Sequence, residues 1–94
     1  MITPFIKNIT LNSTTYTEIV LGASSQNLRS VLIQCRNIDI DIYLANSENP
    51  TEYITLWGGT ALIIELEALS QTGLWAKAIS GNPVVEVMYI TKTM

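Results

Sequence analysis

Histidine is absent from this 94-residue chain, and cysteine occurs once, at Cys35. Without histidine there can be no Ser-His-Asp or Cys-His nucleophile and no His-bearing zinc site, and a single thiolate cannot complete an all-cysteine one. Charge is scarce too: 14% of the residues are charged, where about a quarter is usual. The five basic residues, Lys7, Arg29, Arg36, Lys77 and Lys92, are scattered, and the net charge is −3. No stripe exists to neutralise phosphates, so nucleic acid is not an expected partner. No apolar run reaches the roughly 18 residues of a membrane-spanning helix. The segment MITPFIKNIT has neither the basic nor the apolar region of a secretory signal. A protein made in the cytoplasm, away from the membrane, is therefore expected. Gly58-Gly59 is followed by no GK[ST], so a phosphate loop is missing, and there is no heptad or amphipathic membrane helix.

What the chain does have is apolar residues, 48% of the total, with a mean hydropathy of +0.30. At this length residues 1–94 make one domain, and a domain this small gains much from a partner. Apolar residues recur at period two in runs near 5–11, 16–21, 30–36, 38–44, 52–57, 61–67, 74–79 and 84–91, broken by Gly, Asn, Ser, Pro and Thr. About eight short antiparallel strands imply a sandwich or a small barrel, and the expectation is an all-β sandwich, jelly-roll or Ig-like. ALIIELEAL (61–69) is rich in helix formers, but Leu62, Ile64 and Leu66 alternate with Ile63, Glu65 and Glu67, which favours a strand. Gly58-Gly59 reads as a tight turn between the fifth and sixth runs, and Ser80-Gly81-Asn82-Pro83 as the turn of a last hairpin. The expected core is Ile9, Leu11, Val20, Val31, Ile33, Ile38, Ile40, Ile42, Ile54, Leu56, Leu62, Ile64, Leu66, Val85 and Val87.

With histidine gone, a carboxylate pair is what remains for an enzyme. Asp39 and Asp41 in IDIDIYL are the sharpest candidates. In a strand they would share one face about 7 Å apart, with Ile38, Ile40, Ile42 and Leu44 on the other. That is the wet side of a half-buried strand, and no third ligand for a cation stands nearby. Glu65 and Glu67 have the same arrangement. Neither a catalytic residue nor a metal or cofactor is expected. Cys35, inside SVLIQC, reads as a buried free thiol. Asn8-Ile9-Thr10 and Asn12-Ser13-Thr14 match the glycosylation pattern by chance if the chain is not exported. Trp57, Trp75, Met88 and Ile90 fall on outward positions. Trp57, Trp75 and Met88 are candidate interface residues, and exposed Trp and Tyr could alternatively stack on sugars.

The order VLIQ, IDIDIYLA, a polar loop, a strand ending in a Gly turn, LIIEL, and GLWAKAISGNPVVEVMYI resembles small all-β virion proteins of tailed bacteriophages, over residues 30–91. The resemblance carries over no functional residue. It implies a structural, non-enzymatic role in the virion: a homo-oligomer, for instance a trimer, that decorates or cements the capsid on the major capsid protein. The alternatives are a neck or tail protein and a carbohydrate- or receptor-binding module.

Overall fold

A computed structural model describes residues 5–20, 28–65 and 73–91. Within them run eight strands: β1 (Phe5–Thr10), β2 (Thr17–Val20), β3 (Leu28–Cys35), β4 (Ile42–Ala45), β5 (Ile54–Leu56), β6 (Ala61–Glu65), β7 (Leu74–Ala78) and β8 (Val84–Thr91). They form two four-stranded sheets, A in the order β1-β8-β3-β6 and B in the order β2-β7-β4-β5. Every paired neighbour is antiparallel. The period-two pattern thus yields the expected sandwich, since each strand needs one dry face and offers one wet one.

The strand order also chooses between the two expected architectures. An Ig-like sandwich joins consecutive strands within a sheet, whereas here only β4 and β5 are consecutive partners. Every other connection crosses to the opposite sheet, which is the jelly-roll arrangement. This corrects the last-hairpin reading. Gly58-Gly59 joins β5 to β6, and Ser80–Pro83 joins β7 to β8, so each turns a corner between sheets. The glycines are still required. Gly59 and Gly81 have φ of +78° and +66°, a region that strains other residues. At Gly58 a Cβ would lie 2.6 Å from the carbonyl oxygens of Asn37 and Ile38.

The core lies between the inner faces. Sheet A contributes Val31, Ile33, Cys35, Val85 and Val87, sheet B contributes Val20, Ile42, Leu44, Leu56, Ala76 and Ala78, and all are buried. Ile9, Leu62 and Ile64 are partly buried against them. Each fully buried aliphatic side chain is worth about 1.5–3 kcal/mol. Tyr89 spans the layer, its hydroxyl donating to the Ile19 carbonyl and so tying β8 in sheet A to β2 in sheet B. Two expected core residues are outside it: Ile38 is 76% exposed and Ile54 58%. Ile38 falls in a turn before β4. Ile54 keeps inward parity opposite Leu44, but it belongs to the edge strand β5, which among the described residues has no strand beyond it. Ile40 is half-buried. Leu66 and Glu67 lie outside the described residues.

Candidate functional site

Asp39 and Asp41 do not make a site. β4 begins at Ile42, so the two carboxylates precede the strand instead of lining its wet face. Asp39 is exposed in the turn. Asp41 is half-buried, and its Oδ1 accepts a hydrogen bond of 2.8 Å from the Gly58 N–H. That bond clamps the β3–β4 loop to the β5–β6 corner, a structural task. Cys35 is fully buried, with its Sγ 3.2 Å from the Ile40 carbonyl. Burial pushes its thiol pKa above the ordinary value, and the Asp41 carboxylate nearby adds to the rise, the opposite of what activates a nucleophile. Asn12 Oδ1 accepts from the backbone N–H groups of Thr14 and Thr15 and from both hydroxyls. It builds the β1–β2 turn.

The three candidate interface residues stand on separate surfaces. Trp57 is 64% exposed and begins the β5–β6 corner, where the Ile38 side chain lies against Gly59. Trp75 is half-buried on the outer face of sheet B, with its ring over Gly73, where a Cβ would come within 2.8 Å of the indole. It is rim packing. Met88 is on the outer face of sheet A, paired with Ile6 on β1 and Leu32 on β3.

Met88 is part of a larger feature. Leu32 is also opposite Ile63 on β6, so Ile6, Met88, Leu32 and Ile63 form one row across all four strands of sheet A. With adjacent strands about 4.8 Å apart, the row is about 14 Å long. Its ends are the most open, Ile6 at 73% and Ile63 at 64% exposure. A second row, Asn8-Glu86-Gln34-Ala61, borders it. There Glu86 accepts from Gln34 Nε2 and from Arg36 Nε, each at 3.0 Å, so its charge is neutralised in place.

The outer face of sheet B has different chemistry. Lys77 Nζ lies 5.0 Å from the Tyr16 ring centroid and 5.9 Å from that of Tyr43. Tyr43 in turn meets Tyr53 at 4.2 Å between centroids, tilted by 47°. Burial, then the neighbouring phenols of Tyr53 and Tyr43, raise the pKa of Tyr16. Beside this cluster the β1–β2 turn and the β4–β5 loop enclose an open cavity of about 300 Å³ lined by Thr14, Thr15, Tyr16, Glu48, Asn49 and Lys77 together with Pro50. Sequence reasoning favoured the tryptophans and missed this tyrosine group. Its members come from four separate segments, and only the cross-strand pairing of Tyr43 with Lys77 brings its centre together.

Neither a protein-family model nor a curated protein sequence matches the chain. Solved structures match its fold. One is hydroxypropylphosphonic acid epoxidase from S. wedmorenis, with a TM-score of 0.53 and 12% identity over 97% of this chain and 43% of the epoxidase. HppE with Co(II) and substrate gives 0.54 and 12% over 94% and 44%. A protein of Bacillus endospore appendages, described as disulfide-linked pili, gives 0.52 and 12% over 98% of this chain and 88% of that one. The chain spans less than half the length of the epoxidase. At such identities the likeness is one of fold. HppE is described with Co(II) and with Fe(II); this chain lacks histidine, and among the described residues no three of His, Cys, Asp or Glu gather.

Proposed function

We propose that this protein is a non-enzymatic structural subunit of a tailed-bacteriophage virion, a decoration protein that self-associates and seats on the major capsid protein. The observation that carries the reading is the apolar row Ile6-Met88-Leu32-Ile63. A continuous row of large apolar side chains, half-buried at Met88 and Leu32 and open at Ile6 and Ile63, is unfavourable in water and is the kind of surface that a lasting protein contact covers. The bordering network adds no net charge, because Arg36 pairs with Glu86, and copies could approach without repulsion there. The resemblance in strand order to small virion proteins supplies the setting. The fold likeness to an endospore pilus protein adds that such a sandwich serves in a repetitive assembly.

The test is sedimentation and light scattering of the purified chain, alone and with capsid shells that lack decoration. Oligomers that co-sediment with shells are expected, and Met88→Glu should weaken the association at least ~30-fold, as for a central interface residue worth about 2 kcal/mol. An oligomer that ignores shells would move the protein to the neck or tail. A monomer that ignores them would refute the reading.

A further inference from the structure

The cavity on sheet B is a different surface from the apolar row, and its lining is mixed in a specific way. Lys77 supplies a donor. Glu48 supplies acceptors, and Asn49 supplies both. The hydroxyls of Thr14 and Thr15 already donate to Asn12 Oδ1, so what they present to a ligand is acceptor oxygen. Tyr16 adds an aromatic wall that Lys77 holds from one side. We propose that this cavity binds a neutral oligosaccharide.

The physical case rests on matching. A sugar hydroxyl both donates and accepts, so it uses donors and acceptors set side by side, while the C–H face of the ring covers an aromatic side chain. An anionic ligand would meet Glu48, and a cationic one would meet Lys77. A neutral polyol meets neither penalty. The volume of about 300 Å³ is at the lower end of small-molecule sites and suits one pyranose ring. A second cavity of about 360 Å³ shares Asn49 and Pro50 with the first and is lined further by Asn46, Ser47, Thr51 and Glu52. Two adjoining hollows that share Asn49 and Pro50 fit consecutive rings of a chain. The aromatic surface is also preset, because Lys77 bridges Tyr16 and Tyr43, and less side-chain ordering remains to be lost on binding.

The proposal does not depend on self-association, and its test separates the two. The full chain, labelled with nitrogen-15, is titrated with maltotriose, cellotriose, chitotriose and lactose, with glucuronic acid and glucosamine as charged controls. Saturable shifts are expected for at least one neutral sugar at the amides of Thr14, Thr15, Tyr16, Asn49 and Lys77. Tyr16→Ala and Lys77→Met should each weaken binding at least ~10-fold, or about 1.4 kcal/mol. Met88→Glu should leave it unchanged. Should Tyr16→Ala lose its dispersed spectrum, Glu48→Gln at an exposed loop position serves in its place, with the same weakening expected. No saturable shift up to about 20 mM, more than enough to fill a millimolar site, would overturn the proposal. So would shifts with the charged sugars alone, or binding that survives both Lys77→Met and the second variant.

Discussion

The two outer faces of this sandwich are built by the same rule and end with opposite chemistry. On sheet A the outward residues of four strands align Ile6, Met88, Leu32 and Ile63, with Arg36 and Glu86 cancelling each other along one border and the exposed Glu65 beside Ile63 on the other. On sheet B the outward residues Tyr43 and Lys77 pair across strands, Thr55 stands beyond Tyr43, and Tyr16 and Tyr53 close the cluster. Backbone geometry does not distinguish them. What differs is whether the outward position is filled by an aliphatic group, which gains only by leaving water, or by a phenol or ammonium that can keep water as a partner. One face therefore suits a lasting dry contact and the other a wet, exchangeable one.

That contrast can be broken at several depths. The largest effect is expected from Gly58→Ala, since the new methyl would press on two backbone carbonyls that have no rotamer with which to yield. Overpacking of this kind costs about 1–3 kcal/mol. In a domain this small that lowers the melting temperature by roughly 4–8 °C per kcal/mol. Calorimetry should show it, and both faces should fail together because the corner serves both sheets. Tyr89→Phe cuts the hydroxyl tie between β8 and β2 and should cost about 1 kcal/mol, measurable by urea titration. If saccharide binding and self-association weakened by different factors in that variant, the faces would be mechanically separable.

Alkali provides a third lever. Burial holds the phenol pKa of Tyr89 above its ordinary value, as burial first and neighbouring phenols second do for Tyr16. The folded protein therefore keeps protons that the unfolded chain releases near pH 10. The stabilisation is complete below the unfolded value and declines as pH climbs through the folded one. Stability should thus fall above pH ~10, with phenolate absorbance rising in the same window. A phenolate signal well below that pH would contradict the burial of Tyr89. The smallest effect is expected from Arg36→Ala. The pair with Glu86 is solvent-exposed and should be worth less than about 1 kcal/mol in stability. Self-association should respond more, because Glu86 would then carry a bare charge at the border of the apolar row.

Much of the architecture was legible because period-two alternation reports which face is dry. The strands over Phe5–Thr10, Ala61–Glu65, Leu74–Ala78 and Val84–Thr91 follow directly from it, and the wet reading of Ile63 and Glu65 follows with them. IDIDIYL misled for a physical reason: alternation continues across a strand's start, but the hydrogen-bonded ladder does not. Ile38 then turns outward, and Asp41 spends its oxygen on Gly58. Ala76 and Ala78 were missed because small side chains look neutral in a sequence, although both are buried on an inner strand of sheet B. Both surfaces depend on pairing between distant segments. Ile6 and Ile63 are each exposed singly and ordinary, and they acquire meaning only when Met88 and Leu32 stand between them.

The crossing connections have a kinetic consequence. β8 lies between β1 and β3, with Phe5 opposite Tyr89, so sheet A cannot form from its first strands as they are synthesised. Until Val84–Thr91 has been made, β1 has no neighbour and β3 has only β6. Such distant pairing slows folding to the millisecond-to-second range of β-sandwiches. During that interval the nascent chain holds apolar strands with open edges, the condition in which neighbouring copies join wrongly. The inward-parity Lys7 on β1, opposite Val87, puts a charge on one of those edges and discourages the wrong partner while the right one is still on the ribosome.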